Sequence, residues 1–108
     1  MGDQHYTTLT EAQAAAQAPE GWFVGDGELS AGYRTGSMIK GLDFVNRVVI
    51  AAEAVNHHPD VELSYGVVGF TLSTHATGGL TTADVGLAQT ISEIATARGL
   101  TPEPLDTD

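Results

Sequence analysis

The longest helical pattern in the chain is SMIKGLDFVNRVVIAAEAVNHHP, residues 37–59. Apolar residues recur in it at steps of three and four, which is the spacing of one face of an α-helix. They are Met38, Leu42, Val45, Val48 or Val49, Ala52 and Val55. Ile39, Phe44 and Ile50 extend the apolar character beyond one stripe. We therefore expect a helix over 37–56 that is covered on a second side, by its own sheet or by another subunit.

A pattern typical of a β-hairpin flanks this helix on each side. Residues 22–35 carry β-forming side chains around a turn cluster at 25–28. Pro59 cannot continue the helix, and two further strands, 61–65 and 67–75, are predicted with a turn at their junction. Side chains alternate along a strand. The longer strand should therefore direct Val68, Phe70 and Leu72 to one face and Thr71, Ser73 and His75 to the other.

Two more helices complete the prediction. The first covers 10–17, and the second runs from Leu80 to Arg98 with Thr81 as its N-cap and Gly99 as its stop. Its core stripe is Val85, Ala88, Ile91 and Ile94 or Ala95. The order of elements predicts an α+β fold, a four-stranded, mostly antiparallel sheet with three helices packed on one face. We expect one domain over 1–108, with its core at about 20–98 and a flexible tail at 101–108.

Composition excludes several classes of function. The chain has 108 residues, no cysteine and a formal charge of -10, with only four Lys and Arg against fourteen Asp and Glu. Disulfides, thiolate metal ligands and a cysteine nucleophile are thus excluded. An acidic surface repels phosphate and anionic lipid, so we expect neither nucleic-acid nor membrane binding. Without a secretory signal pattern or a long apolar run, the expected location is cytoplasmic.

Three of the four histidines fall within 19 residues: His57 and His58 at a predicted helix end, and His75 at a predicted strand end. The unperturbed pKa of histidine, roughly 6.5, lets it give and take protons near neutral pH. A convergence of the three on one polar pocket would suit acid–base chemistry on a neutral organic molecule.

Other interpretations of these residues stay open. The histidines could be purely structural or exposed, and Asp60 with His75 could complete a zinc site. Neighbouring His57 and His58 would point about 100° apart on a helix, which makes joint binding of one ion awkward. Ser73 or Thr74 could be a nucleophile, but no nucleophile elbow is present. For Asp84, the sequence alone favours stabilisation of the first helical turn, about 0.3–1 kcal/mol.

Three blocks of sequence together carry a family resemblance. They are Glu53-x3-His57-His58-Pro59 with Asp60, then FTLSTH at 70–75, and Gly79-Leu80-Thr81 with Asp84. In order and spacing they resemble the pterin-4a-carbinolamine dehydratase family, over about residues 20–98. The resemblance implies a four-stranded antiparallel sheet with three helices on one face, in dimers or tetramers. It also implies dehydration of 4a-hydroxytetrahydropterin to quinonoid dihydropterin with no metal or organic cofactor. The usual context is recycling of the pterin that aromatic amino-acid hydroxylases use, so a hydroxylase is a possible pathway partner.

The resemblance also implies roles for single residues. His57 and His75 transfer protons, and His58 holds the substrate near its hydroxyl-bearing carbon; which histidine is acid and which is base stays open. Glu53 orients or tunes His57 from one turn back, and Asp84 orients a histidine or supports the pocket. The full set of substrate-binding and supporting residues is Glu53, Pro59, Asp60, Ser73, Thr74 and Asp84, with Ser73 and Thr74 at the edge of the pterin.

A second function class stays open beside the enzyme. Some relatives serve as dimerisation partners of a transcription activator or as protein-assembly factors, and use helix surfaces rather than the pocket. A non-catalytic role of that kind would usually be accompanied by loss of the histidine set. Because all three histidines are present here, the sequence favours the dehydratase.

Overall fold

The computed structural model of the chain describes residues 6–74 and 79–103. It has the predicted α+β architecture. The helices are α1 (Glu11–Gln17), α2 (Met38–Val55) and α3 (Thr82–Ala97), and the strands are β1 (Phe23–Gly25), β2 (Glu28–Arg34), β3 (Asp60–Ser64), β4 (Val67–Leu72) and β5 (Thr101–Glu103). None of the helices in these ranges combines the length and the apolar character needed to cross a bilayer.

The sheet is antiparallel throughout and has the order β1-β2-β4-β3. β4 pairs along one edge of β2, and the opposite edge is shared by β1 and then by β5. β5 is a correction to the prediction, because Thr101–Glu103 was expected to belong to a flexible tail. These residues instead pair with 32–34 of β2, and the carboxylate of Glu103 pairs with Arg34.

Local capping signals set the helix ends, as the sequence predicts. The hydroxyl of Ser37 accepts the backbone N–H of Lys40 at 3.2 Å, and Asn56 ends α2 in the left-handed conformation at φ 53°. Thr81 caps α3 in a capping box with Asp84. Gly99 has φ +70°, which glycine adopts without steric cost. Leu100 N–H then donates to the carbonyl of Ala95 at 2.9 Å, closing the helix end.

The core lies between one face of the sheet and α2 and α3. The predicted buried face of β4 is confirmed, because Val68, Phe70 and Leu72 are all buried. The predicted stripe of α3 is also buried, with Ala95 in the core and Ile94 at its edge. An aromatic group of Tyr33, Phe44 and Phe70, packed edge to face, forms the centre of this core.

The predicted stripe of α2 is wrong in part. Its buried residues are Gly41, Phe44, Val48 and Ala52. Most of the other predicted members are exposed: Met38, Leu42, Val49 and Val55. Gly41 explains the choice of face, since a Cβ there would lie 2.9 Å from Cδ1 of Leu63. The helix therefore packs on the sheet through the side that carries its glycine.

The second strand of the second hairpin is shorter than predicted. β4 ends at Leu72, where its ladder partners on both sides also end: Leu72 pairs with Leu29, and Thr71 pairs with Asp60, the first residue of β3. Thr74 then forms a single bridge with Gly79. The predicted extension to His75 lies outside the described residues.

Candidate active site

The end of α2 separates the two neighbouring histidines. The left-handed conformation of Asn56 turns the chain out of the helix, while the N–H of His57 still bonds to the carbonyl of Ala52 at 3.1 Å. His57 and His58 then contact different carboxylates on different elements. Their chemical environments therefore differ, although they are adjacent in sequence.

His57 is bound by a buried carboxylate. Its Nε2 lies 2.6 Å from Oδ1 of Asp84; the His57 side chain is 11% exposed and that of Asp84 is 0% exposed. An ionised carboxylate can only accept hydrogen bonds. Nε2 therefore donates to an ionised Asp84, and Nδ1 is the ring nitrogen that does not take part in this bond.

The second carboxylate oxygen of Asp84 is held by the start of α3 and by the end of the hairpin. Oδ2 accepts the hydroxyl of Thr74 at 2.7 Å and the backbone N–H of Thr81 at 2.9 Å. Because Thr74 has a single hydroxyl hydrogen, it is Thr81 that donates across the 2.9 Å contact between the two hydroxyls. No buried side-chain N or O atom in the described part of the chain lacks a partner.

Asp84 thus has two functions in this fold. The sequence favoured helix stabilisation, and the capping box shows that this role is real. The same carboxylate also contacts His57 at 2.6 Å, and orienting a histidine is one of the two roles that the family resemblance implied for it. The hydroxyl of Thr74, expected at the edge of the ligand, contacts Asp84 and Thr81.

We expected Glu53 to contact His57, but it contacts His58 instead. Its Oε2 lies 2.6 Å from Nε2 of His58, and these side chains are 69% and 51% exposed. The spacing of four residues would bring Glu53 and His57 together only if the helix continued through His57. Since Asn56 ends it in the left-handed conformation, His57 turns to α3 instead.

The remaining predicted site residues follow the end of α2 or the end of β4 in the chain. Pro59 is half-buried, and Asp60 begins β3 with an exposed side chain. Ser73 is half-buried directly after β4. His75 lies outside the described residues. Within the ranges that the structure describes, no group of three or more His, Cys, Asp or Glu side chains is arranged to hold a metal ion.

Sequence reasoning missed Tyr6. Its ring centroid lies 6.2 Å from that of His57, with the two planes tilted by 58°. Both rings line a cavity of about 480 Å³ between the end of α2 and the start of α3. The rest of the lining is mostly small and apolar: Ala51, Ala54, Val55, Ala83, Gly86, Leu87 and Thr90. No signal in the sequence could have indicated this contact, since Tyr6 belongs to no motif.

Comparison with known proteins agrees with the fold and with the sequence motifs. The model of the family described as "Pterin 4 alpha carbinolamine dehydratase" matches residues 6–94. A protein of Nostoc punctiforme named "Putative pterin-4-alpha-carbinolamine dehydratase" is 45% identical over 87 residues, 81% of this chain and 94% of that protein. One of the same name from Herpetosiphon aurantiacus is 44% identical over 85 residues, 79% of this chain and 88% of that protein.

A solved structure supports the same assignment. It is the crystal structure of a protein called transcriptional coactivator/pterin dehydratase from Brucella melitensis, and it superimposes with a TM-score of 0.73 at 27% sequence identity. The match covers 81% of this chain and 97% of that one. The resemblance noted in the sequence is therefore confirmed, and the chain belongs to the pterin 4 alpha carbinolamine dehydratase family.

Proposed function

We propose that this protein dehydrates 4a-hydroxytetrahydropterin to quinonoid dihydropterin by histidine acid–base catalysis, in the recycling of tetrahydropterin. The observation that supports this function best is the 2.6 Å contact between His57 and the fully buried Asp84. This contact leaves Nδ1 of His57 for proton transfer, and it holds Nε2 against the carboxylate of Asp84. The names of the relatives specify the same reaction class.

The reaction requires one proton to be delivered and one to be removed. The bond from C4a to its hydroxyl oxygen breaks, that oxygen takes a proton and leaves as water, and a ring nitrogen gives up a proton to form the quinonoid product. Nδ1 of His57 serves one of these transfers, and His75 serves the other. Each positioned acid or base typically contributes about 10²–10⁴-fold to the rate.

Other residues of the proposed site bind the substrate. His58, held by Glu53, lies beside His57 in sequence and supports the substrate near its hydroxyl-bearing carbon. Pro59, Asp60 and Ser73 complete the surroundings of the pterin. Thr74 contributes through its bond to Asp84. The mechanism requires no metal and no organic cofactor, because each step is a proton transfer or the loss of water.

The test follows the ultraviolet absorbance of freshly prepared 4a-hydroxytetrahydropterin as it decays, with and without the protein. We expect wild type to accelerate decay, and His57→Ala and His75→Ala to lose most of the acceleration. Tyr65→Ala is the matched control, because Tyr65 is exposed in the turn between β3 and β4. A folded wild-type protein that leaves the spontaneous rate unchanged would contradict the proposal.

A second proposal concerns assembly with another copy of this chain. α2 exposes a row of large apolar side chains: Met38, Ile39, Leu42, Val49 and Ile50. A patch of this kind on a globular domain typically marks an interface, so we propose a homodimer or homotetramer. Light scattering should give a multiple of the 11.2 kDa chain mass, and Leu42→Glu with Ile50→Glu should reduce it. A monomeric wild type would contradict this proposal.

The same exposed face of α2 supports the alternative function, a non-catalytic dimerisation or protein-assembly factor. The name of the Brucella protein includes the words transcriptional coactivator, which describe a role of that type in that protein. The absorbance assay separates the two functions for this chain. A partner complex that forms equally well with His57→Ala, together with no turnover by wild type, would favour the alternative.

A further inference from the structure

Residues 6–9 form a short extended segment, here called the N-terminal strap, that is bound to the start of α3. The N–H of Leu9 donates to the carbonyl of Leu80 at 2.9 Å, and the N–H of Thr82 donates to the carbonyl of Thr7 at 3.0 Å. Thr7 N–H also donates to the hydroxyl of Thr82 at 3.2 Å. Hydrogen bonds therefore hold the strap to residues 80–82 in both directions.

The backbone that binds the strap also holds the carboxylate of the site. Thr8 forms a bridge with Thr81, and the N–H of Thr81 donates to Oδ2 of Asp84. The other oxygen of Asp84 contacts His57. The strap and the carboxylate of Asp84 are thus fixed to one and the same turn, which places the strap close to the carboxylate that contacts His57.

Tyr6 is the residue that this arrangement places beside the histidine. Tyr6 is 37% exposed, and its ring contacts a His57 side chain that is only 11% exposed. The covalent bond at Cγ and the hydrogen bond to Asp84 at Nε2 hold the two ends of the imidazole, and they leave rotation of the ring about the axis through these two atoms. A second contact, made by an aromatic ring, restricts this rotation and limits the access of water to the bond.

We propose that Tyr6 is a positioning residue for His57: its ring keeps the imidazole in the orientation in which Nε2 donates to Asp84 and Nδ1 is presented to the substrate. We assign this role to the aromatic ring, because it is the ring that packs beside the imidazole. The catalytic part of the proposal rests on the proposed function. Displacing a catalytic group by about 1 Å can cost as much as about 10² in rate, so the contact has a measurable effect.

The test compares Tyr6→Ala with Tyr6→Phe. Tyr65→Ala is the control for loss of a tyrosine side chain, because Tyr65 is 77% exposed. The first readout needs no substrate: proton NMR measures exchange of the His57 Nε2 proton with water and the ring-current shift of the His57 ring protons. Comparison with His57→Ala assigns these signals. The second readout is kcat and KM for the pterin, and thermal melts show that each variant is folded.

For Tyr6→Ala we expect faster exchange of the Nε2 proton, loss of the ring-current shift and a fall in kcat of about tenfold, with KM within about twofold of wild type. Tyr6→Phe and Tyr65→Ala should match wild type in every readout. Unchanged proton exchange in Tyr6→Ala would overturn the proposal, as would Tyr6→Phe behaving like Tyr6→Ala. If wild type shows no turnover, the proposed function fails, whereas the NMR readout still decides whether Tyr6 positions His57.

Discussion

His57 and Asp84, 27 residues apart in sequence, meet at 2.6 Å because the left-handed end of α2 faces the first turn of α3. The two oxygens of the carboxylate are used differently. Oδ1 contacts the histidine, while Oδ2 accepts the N–H of Thr81 and the hydroxyl of Thr74. This division makes the effects of single substitutions predictable.

Asp84→Asn should impair catalysis more than folding. The N–H of Thr81 and the hydroxyl of Thr74 both need an acceptor, so the amide oxygen takes the place of Oδ2 and the amide NH₂ faces His57. Nε2 must then accept a hydrogen bond from the amide, so the ring proton of His57 moves to Nδ1. This tautomer is the opposite of the one in wild type. An exchange of this kind in a serine-protease triad lowers kcat about 10⁴-fold, and we expect a loss of about 10²–10⁴-fold here.

The check on Asp84→Asn is steady-state kinetics beside a urea unfolding curve. Asp84→Ala is the comparison, because it removes both the tautomer control and the cap; it should lose activity and also about 1 kcal/mol or more of stability. Normal kcat in Asp84→Asn would show that the tautomer of His57 is irrelevant to turnover.

Thr74→Val should destabilise the protein by about 1–3 kcal/mol. It removes one donor to Asp84 and leaves the buried hydroxyl of Thr81 without its acceptor. Thr74→Ser keeps both bonds and should stay close to wild type. Thr71→Val is the control, because Thr71 lies on the face of the sheet that is opposite the core. Urea unfolding measures all three, and equal stability of Thr74→Val and wild type would contradict the assigned hydrogen bonds.

Glu53→Gln should have a small effect. The pair with His58 is more than half exposed, and such pairs contribute about 0–1 kcal/mol to stability. We expect kcat to fall less than about tenfold, well short of the effect of Asp84→Asn. If Glu53 instead controlled His57, as the spacing in sequence suggested, the two substitutions would reduce kcat to similar extents.

Tyr33→Phe should cost about 1–3 kcal/mol at neutral pH, because the indole N–H of Trp22 donates to the Tyr33 hydroxyl at 2.8 Å and would lose its acceptor. Burial raises the pKa of Tyr33 above its ordinary value of 10.0, although hydrogen bonds from Trp22 and Ser92 act in the opposite direction. The folded state thus favours the neutral phenol.

The pH dependence of this contribution has a definite sign. The stability that the neutral phenol of Tyr33 contributes is fully present below pH 10.0, the ordinary pKa of tyrosine. It is lost as the pH rises through the raised pKa that Tyr33 has in the folded state. The advantage of wild type over Tyr33→Phe should therefore shrink above about pH 10. Unfolding curves at a series of alkaline pH values measure it, and an advantage that grows with pH would refute the assignment.

Much of the fold could be predicted because its signals are local. Ser37, Thr81 and Gly99 act on backbone groups within four residues of themselves, so a reader of the sequence could place the helix ends. Strand alternation likewise predicted the buried side chains of β4. The histidine motif and its relation to the family were also visible in the sequence, since they depend only on residue types and spacing.

Packing between elements decided the buried face of α2, the strand β5 and the contacts of the candidate site. Apolar residues lie around most of α2, so their pattern alone does not show which face is buried. That face is the one with Gly41, because the absence of a side chain there lets the helix approach the sheet. Pairing with β2 brought 101–103 into the sheet. The proximity of Tyr6 to His57, and of His57 to Asp84, depends on where α2 ends relative to α3.

The sequence by itself therefore determined the three helices, four of the five described strands and the residues able to transfer protons. The tertiary structure decided which carboxylate serves which histidine: Asp84 binds His57, and Glu53 binds His58. The physical reason is the range of the interactions. Capping and strand alternation act between near neighbours along the chain, whereas an acid–base pair 27 residues apart forms only after two helices have packed together.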